Sequence, residues 1–358
     1  MKLSTQKHIY SVKDDRDRLS EMPDDIIVRI LSCMSTIDAV RTVLLRRFGN
    51  LWTFIHTINF ADFVFPDELC TWGNNKLMQW FCRFIHNVLM LHQNPFIDKF
   101  HLSIEFDEAP DDITEWLMFA LGKKAKEIRL FDDRYYNFSL SSIFSKLKSQ
   151  FLVTLDLDYC TFTEEFQVKL ESLQKLSLYR VRMTNKSFQS FISGCPSLQE
   201  LVIVNPVWVT KLSFSAANIS KFSLSLTEDC DEYYYGKKSL SLNFPNLKSL
   251  YLESQLCKLD IIDISSVSDV YVNYPEVEYP SPHLPPQIKK IFLYSYGKGK
   301  SWKSQLRLTE LLLKSGKVLD KLVIVPMECR LKEADQLEFV KLVSRFPRAS
   351  PTARIIFA

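Results

Sequence analysis

LQKLSLYRVRMTNKSFQSFISGCPSLQELVIV, residues Leu173 to Val204, holds one six-residue phrase twice: apolar, two others, apolar, one other, apolar. LQKLSL places Leu173, Leu176 and Leu178, and LQELVI places Leu198, Leu201 and Ile203. The phrase recurs outside this stretch as LVTLDL (Leu152, Leu155, Leu157), ISKFSL (Ile219, Phe222, Leu224) and LKSLYL (Leu247, Leu250, Leu252). Weaker copies follow at Val267, Val270 and Val272, at Ile288, Ile291 and Leu293, and at Leu319, Leu322 and Ile324. Others precede it at Ile97, Phe100 and Leu102 and at Ala125, Ile128 and Leu130. Residues two apart on a strand face the same way, so the last two apolar positions of each copy share a face that one strand cannot cover. Only stacking of neighbouring copies closes such a core, and the pattern predicts a solenoid of short parallel strands.

The steps between central residues run from 20 to 28, the period of leucine-rich repeats, until a step of 31 precedes the last copy. The longer step predicts an inserted helix, on which Leu308, Leu311, Leu312 and Val318 share a face, and Arg354 to Phe357 reads as a final strand. Side chains between and just after the apolar positions face outward along the ladder. Among them are Asp156, Asp158, Ser177, Tyr179, Val202, Val204, Ser223, Ser225, Tyr251, Glu253, Tyr271, Asn273, Phe292 and Tyr294, five of them aromatic. Outward aromatics in a row favour recognition over an idle surface. The candidate target-binding residues are therefore Asp156, Asp158, Tyr179, Tyr251, Glu253, Tyr271, Asn273 and Tyr294, while Phe292 has packing under the C-terminal segment as an alternative.

The N-terminal region has a different period. In DRLSEMPDDIIVRILSCMSTIDAVRTVLL, Asp17 to Leu45, Pro23 suits the first position of a helix and Asp24 and Asp25 suit its first turn. Met22, Ile26, Ile30, Cys33 and Ile37 form one stripe, and Ile27, Leu31 and Met34 form a second beside it. Thr36 can cap a second helix bearing Ile37, Val40, Val43 and Leu44, and Phe48 to Ile55 reads as a third helical segment. The apolar arc is too wide for one neighbour, so the unit either docks a separate partner or packs as a cap on the rest of the chain.

The residues Leu19, Met22-Pro23, Asp25-Ile26-Ile27, Ile30-Leu31, Ser35 to Thr42 and Asn50-Leu51-Trp52 resemble an F-box motif of the plant type. Where that family has Ser-Lys-Arg-Trp-Arg, this chain has Leu45-Arg46-Arg47-Phe48-Gly49. The resemblance implies binding to a Skp-type adaptor, and through it to a cullin scaffold and a ubiquitin ligase. Leu19, Met22, Pro23, Ile26, Ile30, Leu31, Val43, Leu44 and Trp52 would then be adaptor-facing or supporting residues. The repeats, including SGCPSLQEL at Ser193 to Leu201, resemble the irregular leucine-rich repeats of plant F-box proteins. LTELLLKSGKVLDKLVIVP with FPRASPTARIIF is similar to the small FBD module that closes such chains. The expected α/β organisation is a polar tail (1–14), a three-helix F-box-like unit (15–56), a repeat solenoid (57–304) and an FBD-like cap (305–358). On this reading the chain is a non-catalytic subunit that recognises a target protein; a scaffold or small-molecule sensor without a ligase role is the alternative.

Composition narrows the remaining classes. A net charge of +3 over 358 residues offers no field for nucleic acid or an anionic membrane. The eight cysteines contain no C-x-x-C pair, and the first residues have no apolar run of the signal-peptide kind. Free thiols in a reducing compartment, cytoplasm and/or nucleus, are expected. Cys82 and His86, four apart, lack a second ligand pair, so packing is favoured over a metal, and no cofactor is expected. The acidic stretch Glu105 to Asp112 reads as a turn before a helix beginning near Ile113, Tyr233 to Lys238 as a partner-binding insertion or a surface loop, and the proline-interrupted 274–286 as a loop. No local Ser or Cys nucleophile with a base is evident.

Overall fold

A computed structural model describes residues 19, 21–61, 75–104, 110–132, 138–139, 144, 148–162, 166–206, 211–226, 239–254, 258–263, 267–273, 288–294, 306, 309–310, 312–314, 316–325 and 333–357. Twelve strands form one parallel sheet whose spatial order is the chain order. They are β1 (Thr57–Asn59), β2 (Lys99–Ile104), β3 (Glu127–Asp132), β4 (Thr154–Asp158), β5 (Lys175–Tyr179), β6 (Glu200–Val204), β7 (Lys221–Leu226), β8 (Ser249–Ser254), β9 (Asp269–Asn273), β10 (Lys290–Tyr294), β11 (Lys321–Val325) and β12 (Arg354–Phe357). Every copy of the apolar phrase supplies one of these strands. Leu155, Leu176, Leu201, Phe222, Leu250, Val270, Ile291 and Leu322 stand in one unbroken row across β4 to β11. All of them enter one core, and so do the leading residues of the phrases, such as Leu152, Leu173, Leu198 and Ile219, in the turns before the strands.

Backbone bonds carry the stacking through those turns. Gln174 N–H donates to Val153 O, Gln199 N–H to Gln174 O, Ser220 N–H to Gln199 O and Lys248 N–H to Ser220 O, at 2.8 to 2.9 Å. At the far ends of β4, β5 and β6 the chain turns through left-handed residues, Tyr159, Arg180 and Asn205, with φ of 52°, 50° and 45°. Such φ values are uncommon outside glycine. Here each residue's N–H is fixed on the next strand's carbonyl, Tyr179 O, Val204 O and Ser225 O, at 2.7 to 3.0 Å.

The return segments vary. Helices α3 (Asn75–Leu91), α4 (Pro110–Gly122) and α5 (Asn185–Ser193) make three of them. In the other described returns between β3 and β9 short parallel strands serve, the largest group being Lys211–Ser215, Ser239–Asn243 and Lys258–Asp263. Phe144, Phe162, Phe166 and Phe191 pack with ring centroids 4.8 to 6.1 Å apart under this layer. Helix α4 begins at Pro110 rather than near Ile113, because proline suits a first helical turn.

Before the sheet come α1 (Asp24–Leu31) and α2 (Thr36–Arg41), followed by two 3-10 turns, Thr42–Leu44 and Leu51–Phe54. The third helical segment expected at Phe48 to Ile55 is thus a single 3-10 turn. Pro23 precedes α1 with extended backbone (ψ 149°) instead of opening it. Ser35, not Thr36, caps α2: its Oγ accepts from Asp38 N–H at 3.2 Å, while buried Thr36 accepts from Asn59 N–H at 2.7 Å.

Toward the C-terminus, Leu306, Thr309, Glu310 and 312–314 are helical, where the long step called for a helix. Thr309, Leu312 and Leu313 are buried; Val318 lies exposed in the following turn, and Leu308 and Leu311 lie outside the described residues. After α6 (Glu333–Ser344), β12 adds to β11 in parallel, and Phe339 meets Phe357 edge to face at 6.4 Å.

Gly194 ends α5 where a Cβ would lie 2.3 Å from Val168 O and 2.6 Å from its Cγ2. Overpacking of this kind costs about 1–3 kcal/mol. Gly194→Ala is therefore expected to lower the thermal unfolding midpoint measurably, whereas Gly122→Ala, with open space around it, leaves it unchanged or raises it.

Candidate functional site

The N-terminal unit divides its apolar side chains between two surroundings. Ile27, Leu31, Ile37, Ala39, Phe48 and Trp52 join the common core. Leu19, Pro23, Ile30 and Val43 are exposed, Met22 and Ile26 are half-buried, and Leu44 is 86% exposed. Leu31 (4%) and Trp52 (6%) face inward, so of the expected adaptor residues these two can only support the shape of the unit. Met34, read from the sequence as part of the second apolar stripe, is exposed too, and Leu45 and Phe54 are exposed apolar residues that sequence reasoning missed. Leu45 follows Val43 and Leu44 directly, a legible signal; Phe54 is exposed because its segment is a 3-10 turn. The atypical stretch Leu45 to Gly49 is tied down: Phe48 is buried, and Arg47 Nη2 donates to Met22 O at 3.0 Å and pairs with Asp24.

This unit is joined to the sheet by side chains on both sides. Ser32 Oγ accepts from His56 N–H at 2.9 Å at the end of α1. The buried His92 donates through Nε2 to Ile55 O at 2.9 Å, and Asn94 Nδ2 donates to Phe54 O at 2.9 Å. Lys123 Nζ then donates to His92 O and Asn94 O, at 3.2 and 3.0 Å. Of the two possibilities left open by the sequence, packing on the repeats is seen, and the unit still presents an uncovered apolar surface.

The outward face of the sheet changes character along its length. At β2 to β4, His101 lies 2.9 Å from Glu127, and Arg129 reaches both Glu127 (2.8 Å) and Asp156 (3.0 Å). Arg180 grips Asp158 through two nitrogens and lies 4.0 Å from the ring centre of Tyr159. Asp156 and Asp158 are each only 7% exposed, so these two candidates are buried and ion-paired within the chain. Farther along, Tyr251 and Tyr271 are half-buried neighbours with centroids 6.5 Å apart, and Tyr271 stacks on Phe292 at 4.5 Å and 7°. Phe292 thus belongs to the aromatic row. Tyr179 is half-buried on β5. Asn273 is in register with Glu253 and Tyr294 on neighbouring strands, but the side chains of these three residues lie outside the described residues. The segments 105–109, 233–238 and 274–286 lie outside them as well.

Cys82 packs half-buried against the core while His86 is exposed, so the pair diverges from one helix. Burial and the neighbouring Asp112 push the Cys82 thiol up to about 11, and burial pushes Cys195 up to about 12. Neither is a thiolate at neutral pH. Among the described residues no group of three His, Cys, Asp or Glu side chains is placed to hold a metal ion, and no helix is long and apolar enough to cross a membrane.

The fold is thus a small helical unit with uncovered apolar side chains built onto a parallel ladder of repeats. The family model for the At1g61320/AtMIF1 LRR domain matches residues 88–323, and the F-box domain model matches residues 19–53. Similar proteins of Arabidopsis thaliana include F-box/FBD/LRR-repeat protein At2g04230, 29% identical over 268 residues, covering 70% of this chain and 55% of the relative. F-box/LRR-repeat protein At3g59200 is 28% identical over 265 residues (72% and 50%), and F-box/FBD/LRR-repeat protein At1g13570 is 30% identical over 243 residues (67% and 49%). The chain spans about half the length of the curated relatives it matches. It belongs to the plant F-box/leucine-rich-repeat family.

The junction has a pH signature. Burial holds His92 below the ordinary histidine value of 6.5, and Lys123 and His56 add to the effect against the bond to Ile55 O. Burial also holds His101 low, with Arg129 and Lys99 offsetting the pull of Glu127. For a depressed histidine the unfolded chain binds the proton first, so stability is complete above 6.5 and declines as the pH falls below it. The unfolding midpoint is expected to fall progressively over the range below pH 6.5. In His92→Gln the decline is expected to be shallower, as followed by thermal denaturation across that range.

Proposed function

We propose that this protein is the target-recognition subunit of a Skp-cullin-F-box type ubiquitin ligase, working inside the cell. The uncovered apolar residues of the N-terminal unit dock a Skp-type adaptor, which links the chain to a cullin scaffold. The outward face of the repeat ladder holds the target protein. Residues 305–358 act as the FBD-like closing module, a reading supported by β12 completing the sheet. The chain performs no chemistry: its contribution is to raise the local concentration of the target near the transfer machinery, which gains rate without any catalytic residue here.

The observation that carries this reading is the exposure of Leu44, together with that of Val43, Leu45 and Ile30, on a unit whose own core is already filled. Leaving large aliphatic side chains in water has no folding benefit, whereas covering them on a partner recovers about 1.5–3 kcal/mol for each fully buried side chain. Membership of the F-box family supports the identity of that partner.

The test is titration of the full chain with a recombinant Skp-type adaptor by calorimetry. Leu44→Asp and Ile30→Asp are expected to weaken binding by about 30-fold or more, the effect of losing a hot spot of about 2 kcal/mol, with the unfolding midpoint unchanged. Leu31 is a poor choice for this test because its substitution would disrupt the core. Undetectable binding by the unaltered chain, or equal binding by both variants, would contradict the proposal.

A further inference from the structure

The outward row in the middle of each strand has an order of its own. It is charged at β3 and β4, through Arg129 and Asp156, and uncharged from β5 onward. From β6 to β10 it reads Val202, Ser223, Tyr251, Tyr271 and Phe292, aligned pair by pair in the parallel register. All five are half-buried, so their outer surfaces remain accessible. Val202 and Ser223 are short, and the rings begin at Tyr251, so the row makes a shallow floor leading up to an aromatic stack.

Several of the described charges nearby are already committed to one another. Arg129 is shared between Glu127 and Asp156, and Asp158 is held by Arg180. At the strand entries Lys175 pairs with Glu200 at 2.8 Å, and Lys290 lies 3.5 Å from Asp269. A charged side chain laid over β6 to β10 would lose water and find no counter-ion in the row, an unfavourable exchange. An apolar or aromatic side chain would gain both burial and ring contacts.

From these observations we infer the chemistry of the recognised segment: an uncharged, extended stretch of the target rich in aromatic or aliphatic side chains. It lies across β6 to β10 and is anchored on the Tyr251, Tyr271 and Phe292 rings. This rests on the reading above that the ladder face holds the target. Four strand spacings of about 4.8 Å make a span of about 19 Å, which an extended chain at about 3.3 Å per residue covers with about six residues. The charged end at β3 and β4 then acts as a boundary, because its ions are committed to holding each other.

Random peptides displayed on phage, selected against the full-length chain in complex with its adaptor, test this directly. The expected outcome is a set of sequences sharing an uncharged aromatic or aliphatic core. Their affinity, read by fluorescence anisotropy, should fall at least about tenfold in Tyr271→Ser and stay within about twofold in Tyr271→Phe, as loss of a central anchor implies. Met90→Ser, at an exposed position of α3 in the return layer, should bind like the unaltered protein. Selected cores rich in Lys, Arg, Asp or Glu, or affinity lost in Tyr179→Ser but kept in Tyr271→Ser, would overturn the inference while leaving the ladder as the target site. Peptides indifferent to every ladder substitution would overturn both. Failure to select any peptide, with sedimentation showing the chain paired through this face, would overturn the inference in favour of a second copy as occupant.

Discussion

No strand in this ladder can satisfy its own backbone or close its own core; each relies on the strand before and the strand after. That dependence sets the rest of the architecture. The relay of bonds through the turns, from Gln174 N–H to Val153 O and onward to Lys248 N–H and Ser220 O, keeps successive repeats in one register. Because the register is kept, residues far apart in sequence, such as Tyr251, Tyr271 and Phe292, come to stand in a row. The outward face is thus a by-product of how the core is closed, and its chemistry is set residue by residue without altering the fold.

The N-terminal unit attaches to this ladder through the same constraint. β1 begins the sheet immediately after the second 3-10 turn, and Thr36, Ser32, His92 and Asn94 supply the bonds that its ends would otherwise lack. A unit of two short helices buries too little surface to be stable by itself. Packed on the first repeats, it gains a filled core and can leave Leu44, Val43 and Ile30 uncovered. The burial shortfall that the sequence implied is met within the chain, and the surplus remains available to a partner. On the proposed function, this arrangement would also hold target and adaptor in a fixed relation.

Much of this was legible beforehand, for identifiable reasons. The ten phrases located ten strands because strand period and stacking leave little freedom, and Arg354 to Phe357 read correctly as a strand. β1 escaped notice although Ile55, Ile58 and Phe60 carry the same phrase, since Ile55 had been assigned to the helical unit. Thr36 was misread as a cap because capping chemistry alone cannot tell Ser35 from Thr36; burial of Thr36 against Asn59 decides it. On the outward face, period predicted direction but not pairing. Asp156 and Asp158 point outward as expected, yet Arg129 and Arg180, from a neighbouring strand and the turn after one, withdraw them from solvent. Such contacts depend on register between strands more than twenty residues apart, which no local pattern carries.

The central claim is that one folded body carries an adaptor surface on its helical unit and keeps its ladder unchanged when that surface is covered. Hydrogen–deuterium exchange on the full chain, with and without a Skp-type adaptor, measures it most directly. The expected result is new protection confined to segments around residues 19–34 and 42–54, with exchange across β4 to β10 unaltered. Protection confined to the ladder, or none anywhere at saturating adaptor, would contradict it.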